Sequence, residues 1–353
     1  PATLTISHTD LGAKGCPVRC WTLLGEGVLA PVVDAGVDAG PEDGGFFVDS
    51  GVVDAGFVDD PDGGVILPPN AVWRAYGGFE EARAGFASVE LLGGVLLAIG
   101  GWGENGKVLD SIEKFDPSTG RSRIVGHMAQ PRAEPGAVMI ADGRVAIVGG
   151  RTAATQGVVN TTVELFNPND DTISCPGVQA DDDGACTDNA VGFLQGARIN
   201  PIVTSLGNAV IAVAGGRALD DTFAEVAFAG GDTVDVNSGA VTAIANLGAR
   251  VDEARGGGPD GSFLQIGGRN AAGVPSVDVI RFDGATRAVA VTGSLPGARA
   301  GAGAVALADG SVFVSGGVAA TGAVVENAVV LRDAFTDTSL TIDAPLSSAA
   351  RAT

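Results

Sequence analysis

The sequence predicts an all-β fold built from repeated four-stranded sheets set around an axis, and three observations point to it. The first is composition: 55 of the 353 residues are Gly and 5% are aromatic, which suits many short strands joined by tight turns rather than long helices. The second is a phrase that occurs five times, as "GGVLLAIGG" (93–101), "DGRVAIVGG" (142–150), "GNAVIAVAGG" (207–216), "DGSFLQIGG" (260–268) and "DGSVFVSGG" (309–317). The third is an arginine eighteen residues before the last glycine of every copy: Arg83, Arg132, Arg198, Arg250 and Arg299. One register matched five times marks an internal repeat.

Each element of the unit follows from its residues. Asp-Gly or Gly-Gly at the head of the phrase predicts a two-residue turn between a first and a second strand, because these residues accept positive φ cheaply. The unbroken apolar run predicts an inner strand buried on both faces. The closing GG pair ends that strand where chains crowd near an axis and side chains would clash. A variable stretch follows, then an apolar strand running into a polar turn: "KFDPSTGR" (114–121), "LFNPNDD" (165–171), "VDVNSGA" (234–240), "RFDGATR" (281–287) and "LRDAFTDT" (331–338). A fourth short strand leads to the next arginine. A single such sheet cannot cover its own apolar faces, whereas radial stacking buries them, so the unit is the blade of a β-propeller. The arginines recur at one structural position and are expected to hydrogen-bond carbonyls between blades, with anion binding near the axis as the alternative.

The arginine, the turn, the apolar-GG strand and the "FDPSTG"-type turn together resemble the kelch repeat, over residues 83–351. The chain departs from the family pattern in the fourth strand, where "RSRIV" (121–125) holds no Trp. The resemblance implies a kelch-type β-propeller over 70–353 with five recognisable blades. The same offset starts a sixth unit at Arg351, and "AVWRAYGGFEEAR" (71–83) resembles the end of a unit, with Trp73 in the fourth-strand position. The sixth blade is therefore expected to be composite.

Residues 1–69 read as a separate arm. A V-D-[AS]-G unit starts at Val33, Val37, Val48 and Val53 and resembles the Asp-Ala-Gly linkers of exported myxobacterial surface proteins. Composition alone predicts an extended acidic spacer, but Phe46, Phe47 and Phe57 interrupt it with groups that gain by burial. The opening at Pro1, without an initiator Met, reads as a processed or trimmed product.

The four cysteines fall into two local pairs, Cys16/Cys20 and Cys175/Cys186. Even number and pairing predict disulfides and an extracellular or cell-surface setting. The second pair brackets much of an insertion at 171–194 that holds Asp181, Asp183 and Asp188. Clustered oxygen ligands are what Ca²⁺ requires, although the spacing is not that of an EF-hand, and a solvated acidic loop is the competing reading.

Charge and motifs then narrow the function. Lys and Arg total 21 against 42 Asp and Glu, for a net charge of -21, so the basic face that nucleic acid needs is not indicated. No apolar run approaches a membrane span. The copper chemistry of galactose oxidase, a kelch propeller, uses Tyr and His ligands, and a single Tyr76 with His8 and His127 far apart in the repeat register cannot assemble that set. G-x-S-x-G and H-E-x-x-H are absent. The expectation is a non-enzymatic propeller that acts as a structural or interaction module, binding protein and assembling with other copies of itself through the arm. A glycan- or peptide-binding propeller using its rim loops is the alternative, with Trp102, directly after a GG pair, as its one blade-loop tryptophan.

Overall fold

The computed structural model describes residues 77–335 apart from 154–158, 177–193 and positions 246, 259, 308, 326 and 333, together with short strand pieces at 4–5, 24–25, 58–59, 65–66 and 341–342. The proposed outer strand at Trp73 and the sixth unit at Arg351 lie outside the described residues.

Five four-stranded antiparallel sheets follow one another along the chain. Blade one comprises Ala87–Glu90, Leu96–Ile99, Ser111–Asp116 and Arg121–His127. Blade two comprises Gly136–Met139, Val145–Val148, Val163–Asn167 and Thr172–Ser174. Its outer strand thus uses the first residues of the segment read as an insertion, pairing Thr172 with Asn167. Blade three comprises Ile202–Ser205, Val210–Ala214, Gly231–Asp235 and Val241–Ile244. A separate hairpin, Arg217–Leu219 with Glu225–Ala227, is inserted between its second and third strands. Blade four comprises Ala254–Gly257, Phe263–Ile266, Asp278–Phe282 and Val289–Ser294. Blade five comprises Gly303–Ala306, Val312–Ser315, Ala328–Arg332 and Thr341–Ile342. The one helical element among the described residues is a 3₁₀ turn at Glu104–Gly106.

The GG-terminated strand lies second in every sheet, and in blades one, two and four all four of its residues are buried. Burial on both faces explains the unbroken apolar run. Neighbouring blades share cores: Val145 and Ile147 of blade two pack with Leu97, Ile99 and Ile112 of blade one. Between blades three and four, Ile202, Ala212 and Ala214 meet Ile280 and a stacked pair, Phe263 and Phe282, whose rings lie 4.9 Å apart.

The turn between the first two strands is longer than the sequence suggested. Ile140 N donates to Arg144 O at 2.8 Å and Gly143 N to Ile140 O at 3.0 Å, enclosing three loop residues rather than two. Gly143 takes the left-handed position, at φ +88°, which is the common three-residue hairpin solution. The aspartate before it caps the loop: Asp142 Oδ1 accepts Arg144 N at 3.0 Å, and Asp309 Oδ1 accepts Ser311 N at 2.9 Å. Asp-Gly therefore recurs because its two residues do separate jobs, one accepting a hydrogen bond and the other supplying positive φ.

Candidate functional site

Strand direction sorts the loops onto two faces. The repeat arginine, the GG pair and the loop between second and third strands share one face, and the three-residue turns share the other. On the turn face, a depression of about 510 Å³ is lined by Leu92, Met139, Ser205, Leu206 and Asp260 among others. It gathers a single titratable side chain, Asp260.

The GG face is chemically richer, and its foundation is the repeat arginine. Arg132, fully buried, donates to Gly149 O at 2.8 Å, to Thr162 Oγ1 at 2.6 Å and to Glu164 Oε1 at 2.5 Å. Arg83 repeats the pattern with Gly100 O at 2.8 Å, Ser111 Oγ at 3.0 Å and Glu113 Oε2 at 2.8 Å. Arg198 pairs with buried Asp232 and stacks its guanidinium 4.2 Å from the Phe228 ring centre. Arg250 reaches Gly267 O at 3.0 Å and Asp278 Oδ2 at 2.5 Å, and Arg299 reaches Asn327 Oδ1 at 2.7 Å. These side-chain bonds stay within the blade, which corrects the expectation that the guanidinium bridges blades. Arg83, Arg132, Arg198 and Arg250 each face a carboxylate, which offsets the burial of their charge, whereas Arg299 has the neutral Asn327 in that place.

The bridge between blades is the arginine's own backbone. Gly101 N donates to Arg132 O at 2.7 Å, Gly150 N to Arg198 O at 2.8 Å and Gly268 N to Arg299 O at 2.9 Å. A methyl group at the first glycine of the pair would stand 2.1 Å from Arg132 O at Gly100, 2.5 Å from Arg198 O at Gly149 and 2.4 Å from Arg299 O at Gly267. Only glycine leaves room for the next blade's chain there.

Two residues beyond each arginine, Gly85, Glu134, Asn200, Asp252 and Gly301 all take positive φ. Glu134 N donates to Gly85 O, Asn200 N to Glu134 O and Gly301 N to Asp252 O, each at 2.7 Å. Directly after the GG pairs come Trp102, Arg151, Arg217 and Arg269. The side chains of the first three join in a network: Trp102 Nε1 lies 3.5 Å from Glu134 Oε1, Glu134 pairs with Arg217, and Glu225 of the blade-three hairpin pairs with both Arg217 and Arg151, while Arg269 pairs with Asp252. Burial is the largest influence on Arg151 and lowers its pKa, while Glu134 acts the other way. Around this network, Phe223, Val226, Val274 and Val324 are exposed at the tips of blades three to five. Sequence reasoning singled out Trp102 but missed Arg151, Arg217, Glu134 and Glu225. A charged or aromatic residue following four of the five GG pairs, with Val318 after the fifth, was the available signal.

These features decide the repeat. Residues 83–129 match the family model of the Kelch motif. Blade one is a kelch unit. The remaining kelch-type blades reproduce its arginine latch with the acceptors Glu164, Asp232, Asp278 and Asn327. Among the solved structures that match is that of YjhT, with a TM-score of 0.55 and 15% identity, covering 74% of this chain and 84% of that one. At that identity the likeness concerns fold, which is that of a kelch-type β-propeller. No curated protein matches the chain.

Of the other residues singled out from sequence, His127 is an exposed side chain 3.3 Å from Asp110. Cys175 is buried and is not a free thiol. Cys16, Cys20 and Cys186, together with Asp181, Asp183 and Asp188, lie outside the described residues. Among the described residues no cluster of three His, Cys, Asp or Glu side chains is placed to hold a metal ion, and no helix is long and apolar enough to cross a membrane.

Proposed function

We propose that this protein is a non-enzymatic interaction module whose GG face receives a protein partner. The observation that carries this reading is the use of its charges. The repeat arginines are spent inside the blades, and the loops of the GG face expose apolar side chains, Phe223, Val226, Val274 and Val324, together with charged ones such as Glu104, Lys107 and Asp221, beside the paired Arg151, Arg217, Glu134 and Glu225. Apolar anchors beside neutralised charges suit burial against another protein surface.

The partner we favour is another copy of the chain in an extracellular or cell-surface setting, with pairings Cys16–Cys20 and Cys175–Cys186. The arm carries strand-like apolar stretches, "ATLTIS" and "GGFFVDSGVV", on an acidic tether, and an added strand on an open sheet edge joins copies head to tail. Analytical ultracentrifugation and electron microscopy of the full chain test this. Deleting residues 1–60 should abolish higher-order assembly with the β-sheet signal intact, and changing Phe223, Val274 and Val324 to Ser should weaken it without lowering the melting temperature. A full chain that stays monomeric at high concentration refutes self-association.

The second reading, a glycan- or peptide-binding propeller, draws on Trp102 standing beside Glu134 at the mouth. Its test is quenching of tryptophan fluorescence across a glycan and peptide panel, compared with Trp102→Phe.

A further inference from the structure

The five blades act as internal controls for one another, and the junction between blades three and four breaks their pattern. At each of the other three described junctions, the same two backbone bonds recur: one from the second glycine of the GG pair to the next arginine carbonyl, one between the positive-φ residues at the mouth. Between blades three and four, neither Gly216 N to Arg250 O nor Asp252 N to Asn200 O is formed among the described residues. The spacing agrees. A methyl group at Gly215 would stand 4.0 Å from Arg250 O, against 2.1–2.5 Å at the equivalent glycines of the other junctions.

The residues at this junction explain the gap. Two positions before the first glycine, the other blades carry Ala98, Ile147, Val213 and Val314, whereas blade four carries Gln265. Gln265 is fully buried, and neither its amide nitrogen nor its amide oxygen has a partner. Its Nε2 lies 2.9 Å from the methyl position of Gly215, the place that the next arginine's carbonyl fills elsewhere. Five residues after the repeat arginine, Ser88, Ala137, Val203 and Ala304 have Arg255 as their counterpart. Arg255 Nη2 donates to Asn200 O at 2.7 Å and Nη1 to Pro201 O at 3.2 Å, taking the carbonyl that the backbone of Asp252 would otherwise reach. A long side chain thus replaces a backbone bond, and Glu253 Oε2 beside it is buried without a partner. Unpaired buried polar groups destabilise the closed state.

We propose that this junction is a built-in seam, at which the described row of blades parts first and the GG face widens between Asn200 and Asp252. Opening frees the Gln265 amide to be solvated and, among the hydrogen bonds described at this junction, breaks the side-chain bonds of Arg255 and no backbone pair. Apolar contacts such as those of Ile202 and Ala212 with Phe263 are lost here as at every junction, so this junction has the lowest opening cost of the four. The inference stands on the junctions alone and does not depend on which partner the face receives.

Native-state thiol labelling of the full chain, read by peptide mass spectrometry, tests it. Ala212, buried between blades three and four, and Ala146, buried between blades two and three, occupy the same position of the repeat. With Ala212→Cys, position 212 should react roughly tenfold or more faster than position 146 does with Ala146→Cys. Equal rates at the two positions overturn the seam. Gln265→Val, the side chain found at this position in blades three and five, should slow labelling at position 212 while leaving position 146 unchanged. If Gln265→Val slows both alike, the substitution acts on global stability and the seam is refuted.

Discussion

The backbone carbonyl of Arg132 accepts the Gly101 N–H at 2.7 Å across the boundary between blades one and two, while the Arg132 side chain holds Gly149 and Glu164 of its own blade. Losing the side chain therefore loosens a blade and its joint together. Truncating Arg132 to Ala leaves Glu164, 1% exposed, as a buried unpaired charge, which costs about 3–5 kcal/mol. Arg250→Ala should cost less, about 1–3 kcal/mol, because the Asp278 side chain is 41% exposed and water can solvate it. Urea denaturation of the two variants checks the order, and equal losses would contradict the role of partner burial.

The GG pair offers a second contrast. Gly100→Ala places a methyl group 2.1 Å from Arg132 O at φ +63°, so the neighbouring chain must move, and the loss should reach about 4 kcal/mol or prevent folding. Gly143→Ala adds a methyl into open space at φ +88°. It meets only the left-handed penalty of about 1–2 kcal/mol. Thermal melts of both variants read the difference directly.

The Arg198–Asp232 pair titrates against habit. Burial is the largest influence on both groups, raising the pKa of Asp232 and lowering that of Arg198 despite their mutual attraction. A carboxyl whose folded pKa is raised contributes stability that is present in acid and lost as pH rises through the folded value. Asn327 does the same job for Arg299 without a charge, so Asp232→Asn should be milder than Asp232→Ala. Its deficit relative to the native chain should be larger near pH 4 than at pH 7, by urea midpoints. A deficit that grows toward pH 7 would reverse the sign and contradict it.

The turn aspartates run the other way. Asp116, Asp220, Asp235, Asp283 and Asp309 accept backbone or hydroxyl hydrogen bonds that hold their pKa values below the ordinary 3.8. A lowered folded pKa gives stability that is complete above the unfolded value and lost as pH falls through the folded one. These turns should add nothing to pH dependence above about pH 5 and should weaken together below about pH 4. Substituting Asp283 and Asp309 with Asn should flatten the acid limb of a melting-temperature profile, and an unchanged limb would show that other groups control it.

The repeat was legible because its markers are invariant in spacing: each arginine and its GG pair lie on the ends of consecutive strands joined by a loop of fixed length. The arginine's partner was not. Glu113, Glu164 and Asp232 sit opposite Ala98, Ile147 and Val213 in the sheet, whereas Asp278 and Asn327 lie one step before Val279 and Ala328, which pair with Ile266 and Ser315. Loops of different length between the GG pair and the third strand hide that correspondence in the linear sequence. The three-residue turn escaped for a related reason, since Asp-Gly serves two- and three-residue loops alike and strand register decides between them. The network at the mouth could not be read at all, because Trp102, Glu134, Arg217 and Glu225 come from three blades and meet only after stacking.

The double use of the repeat arginine also bears on how such a chain grows. Every unit carries a plug, its arginine carbonyl, and a socket, its GG pair, so a duplicated unit arrives with both halves of its joints. Whatever hangs between second and third strands is left outside that coupling. Blade three can therefore bear a whole extra hairpin from Arg217 to Ala227 while its plug into blade two stays formed, at 2.8 Å, even though its own socket toward blade four is left unfilled. Novelty in this architecture accumulates on one face, and inheritance is kept in the joints.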